Sequence, residues 1–355
     1  MASNVKMWIA GAAVVVIAGG AYAALSGNKS ASGEAGKTSV ALVTDGGGVD
    51  DKSFQQSAWE GLEKWGKENG VKQGKNGYTY YQSKSHADFK TNYDQAVSAG
   101  FKNIYGIGFQ LTSTVNEEAK KHPDTNFMIV DDIAKKRDNV VSVTFKSEQS
   151  SYLAGVAAAK TTKTNKLGFV GGMESAVVKT FEAGFVAGAK SVNPDIQVDV
   201  QYVGSFTDAG KGKTIAASMY QNGTDVIFSA AGGAGAGVFT EAKDLNSEKN
   251  AADKVWVIGV DRDQNDDGAY TAKDGKSNFT LTSSVKKVGK AVVDVTEMAA
   301  KDKFPGGKQL VYGLDDKGVA VTRGNMSDEA WQAVQAAQKK IVDKEITVPS
   351  KYLVK

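Results

Sequence analysis

The stretch TDGGGVDDKSFQQSAWEGL, residues 44–62, sets Asp45, Asp50 and Asp51 beside Phe54 and the amides Gln55 and Gln56. These residues lie between an apolar run and an amphipathic segment. Carboxylates accept hydrogen bonds from a vicinal diol or an N–H edge, amides both donate and accept, and an aromatic ring covers a flat apolar body. The same mixture recurs after other apolar runs. Phe109 and Gln110 follow "NIYGIG", Asp131 and Asp132 follow "NFMIV", and Phe206 ends "IQVDVQYVGSF". Gly232, Gly233, Gly235 and Gly237 follow "DVIFSAA", Asp261 and Asp263 follow "KVWVIGV", and Ser284, Lys286 and Lys287 close "FTLTSSVKK". Glycine-rich turns let backbone N–H groups approach a ligand closely. The set describes a site for a ribose joined to a flat base. It holds no arginine suited to clamping a phosphate, so the expected ligand is uncharged. Each residue also has an ordinary structural role: Asp50 and Asp51 suit the start of a helix, and Phe54 is spaced with Ala58 and Leu62 as a core contact.

Positioning these residues requires strands that end where they begin. Ten runs, most of them near-continuously apolar, read as strands, at 39–45, 78–83, 103–109, 126–132, 140–145, 166–172, 196–206, 225–231, 254–261 and 279–285. Such runs suit parallel strands buried on both faces. Amphipathic helical stretches fall between most of them, among them 52–67, 112–121, 150–160, 177–191 and 211–221. The alternation implies βαβ units and parallel sheets, in which ligands bind beyond the carboxyl ends of the strands. A chain of 355 residues exceeds one ordinary core, and the strands divide into two doubly wound lobes joined by a hinge near 145–147. No tandem sequence repeat accompanies the shared βα rhythm.

Composition removes several classes of chemistry. There is no cysteine, so disulfides, thiolate catalysis and zinc–thiolate sites are excluded. Two histidines, His86 and His122, stand in polar surroundings outside any hydrolase or metalloprotease motif and read as surface helix residues. A net charge of +3 over this length leaves no nucleic-acid footprint. At the N-terminus, Lys6 precedes the uncharged MWIAGAAVVVIAGGAYAAL, 7–25, an export signal or membrane anchor with a small-x-small cleavage site at Ala21–Ala23. A Ser/Gly/Ala/Lys tether, 26–37, follows, and the remainder is expected outside the cytoplasm.

Three motifs fall short. AGGAGAG, 231–237, has G-x-G spacing without the rest of a dinucleotide fingerprint. DAGKGKT, 208–214, ends like a P-loop, but Thr207 stands where the first glycine belongs. DQNDDGAYTAKD matches the start of a calcium loop at Asp263, Asn265 and Asp267. Its twelfth position is Asp274 rather than a chelating glutamate, so a solvated acidic loop is the favoured reading and no metal or other cofactor is expected.

In order along the chain, "VTDGGGVDDKSFQQSAWEGL", "YGIGFQL", "SYLAGVAAAKTTKT", "LGFVGGMES", "FEAGFVAGAK", "YVGSFTDAGKGKTIA", "AGGAGAGVFTEAK", "VWVIGVDRDQ" and "TSSVKKVG" resemble the basic membrane protein family, PnrA-like nucleoside-binding lipoproteins of ABC transporters. The resemblance spans nearly everything beyond residue 36. It implies a type I periplasmic-binding-protein fold, with a lobe of 38–145 plus 286–312 and another of 146–285 plus 313–355. It also implies a monomer that is not an enzyme, captures nucleosides and delivers them to a permease. Phe54 and Phe206 would stack on the base, and Gln55 and Asp131 would face its polar edge. Asp261, Lys286 and the Gly232–Gly233 backbone would hold the ribose, with Asp45 lining the first-strand side. Two departures stand out: Gln55 where the family has Asn, and Ser26 where it has a lipid-bearing cysteine. With Ser26, the chain is an uncleaved membrane-anchored protein, a signal-peptidase product or an engineered Cys-to-Ser form. A secreted nucleoside hydrolase, or a binding protein for a pentose or signal molecule, are the competing readings.

Overall fold

The structure, a computed structural model, describes residues 38–350. The signal or anchor segment 1–25, the tether 26–37 and Ser26 lie outside the described residues. Among those described, no helix is long and apolar enough to cross a membrane.

All ten expected strands form, as two parallel sheets. The first sheet takes β1 (Val40–Thr44), β2 (Tyr78–Tyr81), β3 (Asn103–Ile107), β4 (Asn126–Val130) and β5 (Val140–Phe145). The second takes β6 (Lys166–Gly171), β7 (Gln197–Tyr202), β8 (Val226–Ala230), β9 (Trp256–Asp261) and β12 (Thr280–Lys286). Central strands such as VALVT, NIYGI and VIFSA are buried at every position, because helices cover both faces. Edge strand β7 alternates Gln, Val, Asp, Val and is half-exposed.

Four further strands lack a strong apolar signal. β10 (Ala269–Ala272) and β11 (Gly275–Asn278) form a separate antiparallel hairpin. β13 (Gln309–Tyr312) adds to β5, and β14 (Val319–Val321) adds antiparallel to β12. The sheet orders are β13-β5-β4-β3-β1-β2 and β14-β12-β9-β8-β6-β7, so the two lobes repeat one strand order, and each gains its outer strand, parallel in the first and antiparallel in the second, from the C-terminal part of the chain.

The helices follow the strands: α1 (Phe54–Glu68), α2 (Ala87–Ser98), α3 (Thr112–Lys121), α4 (Ser147–Thr161), α5 (Ala176–Val192), α6 (Ala209–Gln221), α7 (Gly235–Ser247), α8 (Val288–Ala300) and α9 (Asp328–Val342). Ser175, Asp208 and Ser327 cap α5, α6 and α9 by accepting from the N–H groups of Val178, Lys211 and Ala330. The P-loop-like DAGKGKT is therefore a capped helix start. His86 precedes α2 and is exposed, and His122 follows α3 half-buried; neither stands within a helix, where surface helix residues were expected.

The chain passes between the sheets three times. β5 leads through Lys146 into α4, and β12 leads through Lys287 into α8. These two lysines share one tight-turn conformation, φ −79°, ψ 62° and φ −81°, ψ 64°. The third passage, between β13 and β14, is tied to the others. Lys146 N donates to Tyr312 O at 2.7 Å, and Lys287 N donates to Gly318 O at 2.9 Å.

α4 is buried along most of its length against α5. Small residues permit this approach. A Cβ built on Gly188 would stand 2.0 Å from Tyr152 O, a backbone atom that cannot swing aside. Ala ordinarily stabilises a helix interior by about 1 kcal/mol over Gly. Here the sign reverses: Gly188→Ala lowers the free energy of unfolding by about 1–3 kcal/mol, as overpacking does. Urea denaturation of the two proteins reads the difference as a lower midpoint at unchanged slope.

Candidate ligand-binding site

The strands of both sheets end at a common cleft of about 590 Å³, its open mouth included. From the first lobe, Asp45, Gln55 and Asp131 line it beside Phe54 and Phe109. From the second, Phe181, Phe206, Gly232, Asp261 and Lys286 do so. Of the nine site residues that the family resemblance implies, Gly233 alone is outside this lining; of the other strand-end candidates, Asp50, Gln56, Gln110, Asp132, Gly235, Gly237, Asp263, Ser284 and Lys287 also lie outside it.

Asp131 and Asp261 occupy matching places, just after β4 and at the last residue of β9. Both adopt left-handed backbone, φ 68° and 63°. Aspartate tolerates this conformation better than most residues, at a cost of order 1 kcal/mol. The two carboxylates meet at Lys286, the last residue of β12, whose side chain is 3% exposed. Its Nζ donates to Asp131 Oδ2 at 2.5 Å and lies 3.8 Å from Asp261 Oδ1. The same ammonium sits 4.3 Å from the centroid of the Phe54 ring and 5.4 Å from that of Phe181. Asp261 Oδ2 also accepts from Ser53 Oγ at 2.6 Å, so Asp261 of the second lobe is tied to the first. Burial raises the Asp261 carboxyl to about 6 against the pull of Lys286 and Ser53.

On the first-lobe side, Gln55 Nε2 donates to Asp45 Oδ1 at 2.7 Å and to the Ile107 carbonyl at 3.0 Å. Burial pushes Asp45 up to about 7, with Asp131 and Asp51 adding repulsion and a hydrogen bond from Gln110 opposing it. Asp51 does cap α1: its carboxylate accepts from the backbone N–H of Ser53, Gln55 and Gln56. It lines the cleft as well, and burial raises its pKa despite those three donors.

Phe206 meets Phe109 edge to face, at 6.3 Å and 74°, while Phe54 faces the Lys286 ammonium. Sequence reasoning placed Phe109 at a strand end without giving it a role, and missed Val177, Val178 and Phe181 of α5. Their apolar spacing reads as core. The available signal was positional: α5 follows the first strand of its lobe as α1 does, so its first turns face the cleft like Phe54.

Outside the cleft, two ion pairs bridge the rim. Arg262 grips Glu60 of α1 with both Nε and Nη2, at 3.1 and 2.8 Å. Lys52 Nζ lies 3.0 Å from Asp267 Oδ1. Of the calcium-like loop, Asp267 is thus ion-paired, and Asp263 accepts from Asn265 N. The chain runs extended into the β10–β11 hairpin, where Asp274 accepts from Ala251 N instead of returning to the loop. Among the described residues no group of three or more His, Asp or Glu side chains is placed to hold a metal ion.

Two doubly wound lobes, crossed three times by the chain and meeting at a ligand-sized cleft, define a two-lobed substrate-binding protein. The chain belongs to the Bmp family, described as ABC transporter substrate-binding protein PnrA-like, whose sequence profile matches residues 37–352. It is 55% identical over 346 residues to the ABC transporter nucleoside-binding protein BmpA of Lactococcus lactis subsp. cremoris, covering 96% of this chain and 98% of that one. It is 53% identical over 315 residues to the CD4+ T-cell-stimulating antigen of Listeria monocytogenes, covering 88% of each. In fold it is similar to a solute-binding protein of an ABC transporter system from Aeropyrum pernix K1, with TM-score 0.77 and 23% identity over 89% of this chain and 94% of that one.

The raised Asp45 carboxyl makes stability pH-dependent. The folded state holds a proton that the unfolded chain has lost between its ordinary value of 3.8 and about 7. Through that window stability falls as pH rises, and above it the contribution is flat. Asp45→Asn removes this dependence. Its stability relative to the parent protein should be greater at pH 8 than at pH 5 by roughly 2–3 kcal/mol, read by urea unfolding at the two pH values.

Proposed function

We propose that this chain captures nucleosides outside the cytoplasmic membrane and delivers them to the permease of an ABC importer. The observation that carries the reading is the join of two chemistries in one cleft: a lysine held between two carboxylates, and aromatic rings within reach of the same ammonium. A diol needs both acceptors and a donor, and a base needs flat apolar cover. The Lactococcus relative, nucleoside-binding by name, supports the same ligand class.

In this reading Phe54 and Phe206, joined by Phe109, flank the base. Gln55 and Asp131 face its polar edge, with Asp45 behind Gln55. Asp261, Lys286 and the Gly232–Gly233 turn hold the ribose. Lobes of 38–145 plus 286–312 and 146–285 plus 313–355 part and close about the three crossings, with Lys286 itself, the last residue of β12, moving with the second lobe. The protein acts as a monomer, and its N-terminal segment keeps it at the outer membrane surface or is cleaved to release it. Retention in the membrane pellet through alkaline carbonate extraction separates the two fates.

A hydrolase reading would need acids converging on a metal. Asp45 and Asp51 instead accept from different donors, the Gln55 side chain and the backbone at the start of α1. Incubation with inosine should leave the nucleoside intact, and chromatographic detection of free hypoxanthine would establish catalysis.

The direct test is calorimetric titration with inosine, adenosine and uridine. Phe206→Ala and Phe54→Ala should each weaken binding at least tenfold, about 1.4 kcal/mol. Unchanged affinity in both folded variants would refute the role of the rings. Asp261→Asn loses a charge-assisted hydrogen bond worth about 1.5–3 kcal/mol. Ribonucleosides should lose more affinity than 2′-deoxyribonucleosides, and equal losses would show that Asp261 does not read the 2′-hydroxyl.

A further inference from the structure

Gln55 is 3% exposed, lines the cleft, and leaves one buried atom, Oε1, without a hydrogen-bond partner. An amide has two faces of opposite polarity, and its orientation follows from what surrounds it. Here Nε2 lies between two acceptors, Asp45 Oδ1 and the Ile107 carbonyl. A flipped amide would set its oxygen against that carbonyl. A backbone carbonyl has no proton to offer whatever the state of Asp45, so the orientation is fixed from below.

The rest of the arm is fixed too. Gln55 N donates to Asp51 Oδ2 at 3.0 Å, and a Cβ added at Gly47 would stand 3.2 Å from Gln55 Cγ, so the side chain is bounded on that flank. The acceptor oxygen therefore cannot satisfy itself by turning its amide over. A buried acceptor left without a donor costs free energy, and a ligand that supplies the donor recovers it. Sites built to hydrogen-bond a ligand group reject analogues lacking it far more strongly than apolar pockets reject a change of size.

We infer that Gln55 presents an acceptor alone to the ligand, and that the site selects bases carrying an N–H donor on the edge remote from the sugar. The inference rests on the nucleoside reading and adds the chemistry of selection and the direction of the base. In a purine nucleoside the sugar occupies position 9, so N–H donors are confined to the edge of positions 1, 2 and 6. In a pyrimidine nucleoside they lie at positions 3 and 4. That edge must point towards Gln55 and the end of β1. The longer glutamine arm, in place of the family's asparagine, brings the acceptor further from α1 towards the base.

The test compares inosine, adenosine and purine riboside, which has no N–H on any edge of its base, by titration calorimetry on the full protein and on Gln55→Met. Methionine keeps the length of the arm and removes the acceptor. The unaltered protein should bind inosine or adenosine at least tenfold tighter than purine riboside. In Gln55→Met the three should fall within threefold of one another. Equal tight binding of all three by the unaltered protein would overturn the acceptor role while leaving the nucleoside reading intact. Binding of none of them, nor of uridine, would overturn the nucleoside reading itself. Tenfold discrimination that persists in Gln55→Met would assign the selection to another residue and refute this one. If that variant does not fold, comparison of inosine with 1-methylinosine on the unaltered protein decides instead: a loss of at least tenfold supports an N–H contact, and equal binding overturns it.

Discussion

A lysine side chain that is 3% exposed must find its counter-charges inside the protein, since an unpaired ammonium removed from water costs several kcal/mol. Lys286 finds two, and they come from different lobes: Asp131 after β4 and Asp261 at the end of β9. Much of the cleft follows from that requirement. Both aspartates adopt left-handed backbone beside it. Ser53 is drawn in to complete the shell of Asp261, which fixes the start of α1 and with it Phe54 and Gln55. The phenyl face of Phe54 supplies further negative potential to the ammonium. The charge and the rings therefore form a single arrangement.

The fold was legible because burial on both faces leaves a plain trace. Runs such as VALVT and VIFSA can hardly be anything but central strands of a covered sheet. The elements that escaped notice lack that trace. β13, QLVY, is partly exposed on an edge, and GKSN of β11 has almost no apolar content and owes its shape to pairing with β10. At the site, residue types at strand ends were enough to collect most of the lining. Their partnerships were not, because the Lys286–Asp131 bond joins positions 155 apart and depends on how two sheets face each other. Phe181 was hidden for another reason: on a helix, one ring facing a cleft has the same spacing as a ring facing a core.

The two lobes repeat their backbone more faithfully than their side chains. The third strand of each leads into a single tight helical turn, Phe109–Leu111 in one and Gly232–Ala234 in the other, before its helix begins. Lys146 and Lys287 bend alike between sheet and helix. On this shared frame the same station carries a phenylalanine in one lobe and a glycine in the other. The scaffold around the cleft thus has near twofold character, while the side chains at matching stations differ.

The rim pairs, Arg262 with Glu60 and Lys52 with Asp267, are partly exposed, unlike Lys286. Dissolved ions screen them readily and reach the interior lysine poorly. Any parting of the lobes would break these outer contacts together with the buried Lys286–Asp131 and Ser53–Asp261 bonds within. In a protein whose lobes part to release a ligand, dissolved ions would therefore loosen the closed rim while leaving the buried contacts of the cleft largely unscreened.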